Sequence, residues 1–346
     1  MRLLGDKLSS RRVFSAAGFP TMPASGLVTN EQELSTAARE IGYPLLVKVP
    51  SGAAGRGIFI VNREEDLTKA FNDAMADATR MGTSHNPGVY IERCLEGARH
   101  LEVQIIGDKH GNYAHVGTRE SSIQRRRQKV IEEAPFVSLD SRVREEACRK
   151  AIEVVKGIGY SGLGTIECLV DTKGNYYFLE MNVRVQVEHT VTEMVTGVDL
   201  VREQVRVAAG ERLSFGPDTG ITRGHAIELR IYAEDPQTFV PSNGEVREIR
   251  LPSGPGVRLD PWLKIGQVVK AHVGGNSAIL LKLIVHASDR SAAVQRARRC
   301  LDELVIDGVG TNIPLLKRMT SHPDFESGNV STSWMESHFA PGSSSE

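Results

Sequence analysis

The sequence predicts an α+β fold built on a largely antiparallel sheet. Two observations carry this: helical and strand-like patterns are mixed along the chain, and the segments between them are short. A third is that several strand-like runs face each other across tight Gly- or Asn-bearing turns instead of long crossovers.

In chain order, Asp6–Ala17 has helical spacing and Gly18–Ser25 reads as a linker. Glu31–Ile41 is helical, with Thr29 or Asn30 as its N-cap. Tyr43–Val49 reads as a strand, Gly52–Gly57 as a tight loop and Ile58–Val61 as the second strand of a hairpin. Arg63–Met81 is a long amphipathic helix, followed by a strand over Gly88–Glu92. Strands at His100–Ile106 and Tyr113–Arg119 flank a turn at Gly111-Asn112, and a helix over Asp140–Ile158 follows. Two further strands, one carrying Glu167 and one carrying Glu180, are joined at Asp171-Thr172-Lys173-Gly174. A helix spans Asp199–Ala209, and Pro217–Gly220 marks a seam. Beyond it come a strand at Gly224–Ala233, a loop at Pro252–Gly256, a strand at Ile279–Val285 and a helix at Arg290–Leu304 before a Gly/Ser tail.

A chain of 346 residues buries a substantial core and divides into two or three domains. Forty-two basic and 43 acidic residues leave a net charge of −1, which gives no general attraction to nucleic acid or to an anionic membrane. The run Arg125-Arg126-Arg127 with Lys129 is the densest basic patch and suits a phosphate contact as readily as a polynucleotide. Cys94, Cys148, Cys168 and Cys300 lie far apart, without metal-type pairing, as expected of a reduced compartment. No apolar run approaches about 18 residues, so a cytoplasmic location without a membrane span is expected.

The most informative stretch lies between Glu167 and Glu188. From Glu180, polar residues fall on every second position: Glu180, Asn182, Arg184, Gln186 and Glu188. In a strand they would share one face, backed by Met181, Val183, Val185 and Val187. Fully extended, this row would span about 26 Å, long for one reaction centre, so a turn near Arg184 is expected. Glu167, Glu180 and Asn182 are oxygen ligands suited to Mg²⁺; the Arg/Gln/Glu remainder suits a small anion. The competing reading is an edge strand with a solvated face, which more commonly carries Lys, Thr and Ser.

Elsewhere the residues leave alternatives open. Lys48 precedes a glycine-bearing loop, Ser51 to Ile58, whose backbone N–H groups could approach phosphate; a plain hairpin has the same pattern. Gln124 to Lys129 reads as a surface turn, or, if extended, places Arg127 and Lys129 on one side. His100 and His189 read as structural, Arg258 as a single Arg near a loop, and Trp262 and Trp334 as core or interface residues.

Together these motifs make nearly the whole chain, from Leu4-Gly5-Asp6-Lys7 to about residue 335, resemble biotin carboxylase, an ATP-grasp enzyme. The resemblance rests on G-Y-P-L-L-V-K, H-L-E-V-Q, the Gln124–Pro135 segment, E-M-N-x-R-x-Q-V-E-H, T-E-M-V-T-G-V-D-L-V and R-G-H-A-I-E-L-R-I-Y-A-E-D-P. It implies an ATP-grasp fold: a remnant linker over 1–23, a lid domain over 24–95, a core over 96–215 and a biotin carboxylase C-terminal domain over 216–340. It implies ATP, Mg²⁺ (or Mn²⁺) and biotin as carboxyl acceptor. The implied partners are bicarbonate, a biotin carrier protein or domain, a carboxyltransferase component and a second copy in a homodimer.

Carried over by position, Lys7 and Lys48 match lysines on the ATP phosphates, and Ala54 and Gly55 the covering loop. Glu92, Arg93, Cys94 and Leu95 match the adenine-reading segment; His100, Gln124 and Arg127 match nucleotide-side positions. Glu167, Glu180 and Asn182 match the metal ligands. Lys129, Arg184, Gln186 and Val187 match the bicarbonate site, Glu188 the general base, and Arg258 the residue that steadies the biotin enolate. The implied chemistry is attack of deprotonated bicarbonate on the γ-phosphate, giving carboxyphosphate, whose CO₂ is captured by biotin.

Four departures from the family pattern bear on these expectations. The family carries a Rossmann-like domain ahead of the G-D-K motif, with which this chain almost begins. Ser51, Ala53 and Ala54 stand where glycine is usual, restricting the loop. Arg127 stands in place of His, and Asn276-Ser277-Ala278-Ile279 in place of Y-D-S-M. The rival readings are an ATP-grasp ligase with another acceptor and a non-catalytic nucleotide-binding relative.

Overall fold

The computed structural model describes residue 4 and residues 7–50, 57–80, 88–216, 222–270 and 278–340. Helix α1 (Lys7–Ala16) buries Phe14, which stacks on Phe178 with ring centroids 4.0 Å apart. The following linker is pinned by backbone bonds, Phe178 N–H to Pro20 O (2.8 Å) and Ser25 N–H to Ile91 O (2.8 Å).

Helix α2 (Glu31–Ile41) starts at Asn30, not Thr29. The Asn30 side chain accepts from the Glu33 N–H, while the Glu33 carboxylate accepts from the Thr29 N–H. Two orphan donors are thereby satisfied reciprocally. Its buried residues, Leu34, Ala37, Ala38 and Ile41, follow the i, i+3, i+4, i+7 spacing of one helical face. Strands β1 (Leu45–Lys48) and β2 (Ile58–Val61) form the expected antiparallel pair. A 3₁₀ turn at Glu64–Asp66 leads into α3 (Leu67–Arg80), so the expected single helix is divided near its start. Strand β3 (Tyr90–Arg93) completes a three-stranded sheet, ordered β2-β1-β3, packed on α2 and α3 around Leu34, Val47, Phe71 and Ile91.

The remaining elements begin with β4 (Arg99–Gly107), β5 (Tyr113–Arg125), β6 (Gln128–Ala134), α4 (Ser141–Gly157), β7 (Gly162–Val170) and β8 (Tyr176–Asn182). Then come α5 (His189–Thr196), α6 (Leu200–Ala208), β9 (His225–Tyr232), β10 (Gly244–Glu245), β11 (Glu248–Arg250), β12 (Val257–Pro261) and β13 (Val268–Val269). The chain closes with β14 (Ile279–Ala287), α7 (Arg290–Glu303), β15 (Val305–Asp307), α8 (Ile313–Thr320), α9 (Pro323–Ser327) and α10 (Trp334–Phe339).

An eight-stranded sheet, ordered β12-β14-β9-β6-β5-β4-β7-β8, holds the molecule together, and every neighbouring pair in it is antiparallel. It runs without interruption across position 216, because β6 pairs with β9 from Ile131↔Leu229 to Ala134↔Ala226. One apolar cluster joins Phe14, Phe136, Cys148, Val154 and Phe178; another joins Leu229, Leu281, Leu301, Leu316 and Trp334. Trp334 is therefore core, whereas Trp262 is 62% exposed. Among the described residues, no helix is long and apolar enough to cross a membrane.

Three local features differ from the sequence-based expectation. Strand β5 continues past Arg119 to Arg125 and turns into β6 at Arg126-Arg127, whose φ values are 48° and 66°. Two positive-φ residues across a two-residue loop are hairpin geometry, usually signalled by Asn-Gly. Arg-Arg gave no such signal, and the turn means Arg127 and Lys129 do not share an extended segment. Helix α5 was hidden by its β-branched Thr190, Val191 and Thr192. The expected tail after residue 304 instead folds into β15 and three helices. Most of the Ser51–Gly57 loop, with Ala54 and Gly55, and the Pro217–Gly220 seam lie outside the described residues.

Candidate active site

The site is assembled by register. On β4, alternation puts His100, Glu102 and Gln104 on one face. Glu102 lies opposite Arg119 of β5 and opposite Glu167 of β7, and Glu167 lies opposite Glu180 of β8. Lys129 of β6 reaches across β5 into this row. Its Nζ donates to Glu102, to Glu167 Oε1 (3.1 Å) and to Glu188 Oε1 (2.5 Å).

Glu167 is the hub of the row. Its Oε1 also accepts from Asn182 Nδ2 (2.9 Å) and Gln186 Nε2 (2.6 Å), and its Oε2 lies 2.9 Å from His100 Nε2. Gln124 holds the other ring nitrogen of that imidazole, its Nε2 lying 2.6 Å from His100 Nδ1. Asn182 Nδ2 lies 3.3 Å from Glu180 Oε1, and Lys7 Nζ lies 4.0 Å from Glu180 Oε2.

Burial by itself would raise the carboxyl pKa values of Glu102, Glu167 and Glu188, since it disfavours the charged form. For Glu102, Lys129 and Arg119 outweigh burial and hold the group at about 2. Glu167 is driven down against burial by Lys129 and His100, and Glu188 by Lys129 and Arg230. Burial lowers Lys129, but the three carboxylates raise it well above the usual lysine value. Glu102, Glu167, Glu188 and Lys129 are thus ionised at neutral pH.

A second cluster adjoins it. Arg230 of β9 contacts Glu132 of β6, lies 3.2 Å from Glu188 Oε2 and 3.8 Å from Glu228 Oε1. Its one guanidinium serves three buried carboxylates. Glu132 consequently keeps its proton: burial, Glu228 and Glu188 push it up to about 8 despite Arg230. Lys282 Nζ donates to the Val187 carbonyl (2.9 Å) and lies 3.2 Å from Asp260 Oδ2. Asp260 in turn accepts from Arg258 Nε (2.9 Å), and Arg258 Nη1 donates to Glu193 Oε2 (2.6 Å).

The predicted residues fall into three groups. Lys129, Glu167, Glu180, Asn182, Gln186, Glu188, His100 and Gln124 converge, with Lys7 at the edge. Lys48 pairs with Glu92, which Arg11 also contacts at 3.3 Å; this pair sits where β3 leaves the small sheet. Arg93 donates to Ile41 O (2.8 Å) and the Cys94 N–H to Pro44 O (3.0 Å), so residues 92–95 are held as the link to β4. Arg127 Nη1 lies 3.5 Å from the Ile58 carbonyl of β2, bridging the two sheets.

The third group stands apart. Arg184 is exposed and donates to its neighbour's carbonyl, Val185 O, at 3.1 Å. Val187 is 37% exposed. Arg258 is tied to Glu193 and Asp260 and reaches the Lys129 cluster through Lys282 and the chain at Val187. The turn expected near Arg184 is present, so the five polar residues do not share one strand face. Strand β8 ends at Asn182 and the chain bends at Arg184, so Gln186 and Glu188 enter the cluster from a turn preceding α5.

Sequence reasoning missed Glu102, Arg119, Arg230 and Lys282. Arg119 is fully buried and donates to Glu102, Gln104, Thr192, Thr165 and Gln186 at 2.6–3.1 Å. The available signal was the period-two row His100-Glu102-Gln104 and the Glu228-x-Arg230 pair, both inside motifs already singled out.

The donor set fits a hard divalent cation. Glu167 and Glu180 offer carboxylate oxygens from adjacent strands, and rotation of the Asn182 amide presents its oxygen to the same spot. With Lys7 and Lys48 nearby, the charges suit a polyphosphate beside it.

Comparison with known proteins agrees with this geometry. Residues 6–215 match the family described as the carbamoyl-phosphate synthase L chain ATP-binding domain, and residues 228–337 match the biotin carboxylase C-terminal domain. Biotin carboxylase from Nostoc sp. is 45% identical over 97% of this chain and 74% of its own length. The Pseudomonas aeruginosa biotin carboxylase is 44% identical over 97% and 74%. The crystal structure of a Campylobacter jejuni biotin carboxylase–β,γ-ATP complex superposes with a TM-score of 0.93 at 39% identity, covering 97% of this chain and 74% of that one. The biotin carboxylase domain dimer of Hydrogenobacter thermophilus 2-oxoglutarate carboxylase, in complex with MgADP, ADP and bicarbonate, superposes at 0.94 with 40% identity, covering 100% and 76%. With both family matches and these relatives spanning nearly its full length, the chain belongs to the biotin carboxylase family of ATP-grasp ligases.

Proposed function

We propose that this chain uses ATP to carboxylate biotin with bicarbonate, the first half-reaction of a biotin-dependent carboxylase, at the site centred on Lys129. The single observation that carries this reading is the placement of Lys129 Nζ among Glu102, Glu167 and Glu188. It joins an oxygen-ligand set to a carboxylate base through one cation. Glu167, Glu180 and Asn182 would hold Mg²⁺, which supplies charge neutralisation between nucleotide phosphates.

The chain's own residues divide the remaining work. Lys7 and Lys48 hold phosphates, residues 92–95 line the adenine, and His100, Gln124 and Arg127 complete the nucleotide side. The small sheet over 24–95, with the loop containing Ala54 and Gly55, serves as the lid, and residues 216–340 as the C-terminal domain. Bicarbonate binds among Lys129, Arg184, Gln186 and the backbone at Val187. Arg184 must swing inward from its exposed position to do so.

Glu188 takes the bicarbonate proton. With Lys129 against it, Glu188 is ionised but weakly basic; when the anion claims a Lys129 hydrogen, that stabilisation falls and Glu188 gains basicity. Buried donors then face the developing negative charge without reorganising. Arg258, already oriented by Glu193 and Asp260, offsets charge on the biotin ureido oxygen. Biotin arrives on a carrier protein or domain and leaves for a carboxyltransferase; pairing of two copies would accord with the Hydrogenobacter dimer.

Phosphate release measured with and without bicarbonate and free biotin tests this. Release that requires bicarbonate and rises with biotin supports it; release driven by another acceptor, or nucleotide binding without turnover, refutes it.

A further inference from the structure

On the segment from α9 to α10, His322, Asp324 and His338 bring their ligating atoms within 4.8 Å of one another. We propose that these three side chains form a binding site for a borderline transition-metal dication of the Zn²⁺ class, separate from the oxygen-ligand site at Glu167.

The spacing fits. His322 Nδ1 lies 3.6 Å and His338 Nε2 3.5 Å from Asp324 Oδ2. Tetrahedral bonds of ~2.0–2.1 Å place neighbouring ligand atoms about 3.3 Å apart, so only small movements are needed. The donor chemistry, two imidazoles and one carboxylate, favours Zn²⁺, Co²⁺ or Ni²⁺ over Mg²⁺.

The ligands are also oriented from behind, the support usual around metal centres. His338 Nδ1 lies 2.9 Å from the Trp334 carbonyl. Because a carbonyl only accepts, that nitrogen carries the hydrogen, and in the neutral ring Nε2 is left to offer its lone pair toward Asp324. Trp334 Nε1–H donates to Asp324 Oδ2 at 3.1 Å, and Trp334 itself is buried. The His322 ring packs edge-on against both Trp334 and His338. His322 Nδ1 accepts from the Asp324 N–H at 3.1 Å, so ligation through Nδ1 exchanges this cap for a metal bond.

The site would fasten α10 to α9. Helix α10 and the segment before it are already tied to strand ends of the main sheet: Glu336 Oε1 accepts from the N–H of Arg126 in the β5–β6 turn at 2.8 Å, and the Thr332 N–H donates to the carbonyl of Ala98, just ahead of β4, at 2.8 Å. A bound ion would therefore steady the β5–β6 hairpin tip from outside the catalytic cluster. His322 and Asp324 are half-buried and His338 is exposed, so an ion reaches them from solvent.

The test uses chelator-treated full-length protein titrated with Co²⁺, read by its visible ligand-field absorption, and with Zn²⁺, read by calorimetry and thermal unfolding. The inference expects a Co²⁺- and Zn²⁺-binding site beyond any at Glu167, Zn²⁺ raising Tm, and affinity at that site falling at least about tenfold in His322→Ala and His338→Ala. His338→Gln, placed on the exposed face of α10, should fold and turn over normally yet lose the cobalt spectrum. Cys94→Ser should keep the spectrum. Unchanged Co²⁺ and Zn²⁺ binding in His338→Gln, or its loss in Cys94→Ser, would overturn the assignment, whatever becomes of the carboxylation reading.

Discussion

Lys129 Nζ lies 2.5 Å from Glu188 Oε1, and the same ammonium contacts Glu102 and Glu167. One cation from β6 therefore sets the ionisation of three carboxylates borne on β4, on β7 and ahead of α5. Lys129→Met leaves those carboxylates buried beside one another without their shared counter-charge. Urea unfolding at neutral pH should show a loss of about 3–5 kcal/mol, because a broken buried ion pair strands the remaining charge. Turnover should disappear with it, and a variant of wild-type stability would contradict this arrangement.

Glu188 is expected to separate chemistry from binding. Its contacts are to Lys129 and Arg230, and the nucleotide-side lysines Lys7 and Lys48 pair elsewhere, with Glu180 and Glu92. Glu188→Ala should abolish bicarbonate-dependent ATP cleavage while nucleotide affinity, read by equilibrium binding, stays within about threefold, a difference under 1 kcal/mol.

Acid should unfold the protein through specific groups. Glu102 and Glu133 are each held at about 2, Glu102 against burial by Lys129 and Arg119, and Glu133 against burial by His225 and Arg290. Both lie below the ~4.3 of an unfolded glutamate. Their stabilisation is therefore complete above that value and is lost as pH falls toward 2. Each contributes at most roughly 3 kcal/mol. Chemical unfolding followed from pH 6 to pH 3 should show a steep decline that Glu133→Gln makes shallower.

Glu132 has the opposite sign. Its folded-state value, about 8, lies above the unfolded one, so the native state binds the extra proton and stability falls as pH rises from about 4.5 to 8. Glu132→Gln mimics the protonated form. It should leave stability at pH 5 nearly unchanged and flatten the decline toward pH 8; a large loss at pH 5 would show that Arg230 depends on an ionised Glu132.

Arg119 is predicted to act as a positioning residue. It fixes Gln186 and Glu102 without reaching the outer face of the site. Arg119→Lys keeps the charge but not the fork. The cost should be on the order of 2 kcal/mol, with kcat reduced and KM for ATP little changed.

What the sequence made legible follows from where its signals were local. Strands β1, β2, β4 and β7 and helices α2, α4 and α7 were readable from their apolar periodicity, with the Asn30 cap marking the start of α2; the caps Asp140 and Asp289 emerge only in the structure. Glu167, Glu180 and Asn182 were readable because alternation on paired strands brings them together. Strand β6 was not, since Arg126-Arg127 turn without Gly or Asn, and Arg119 to Gln124 is polar apart from Ile123 yet buried. A buried polar network has no apolar period to detect. Arg119 and Arg230 escaped notice for the same reason: their role lies in distant partners, 73 positions away in the Arg119–Thr192 bond and 98 in the Arg230–Glu132 pair. Arg184 shows the converse, a residue that the motif marks and the fold leaves on the surface.

Transfer of isotope from labelled bicarbonate into free biotin, in the presence of ATP and Mg²⁺, addresses the central reading most directly. The account predicts labelled carboxybiotin from the wild type and none from Glu188→Ala. ATP cleavage that leaves biotin unlabelled, or label transfer that survives the Glu188 substitution, would contradict it.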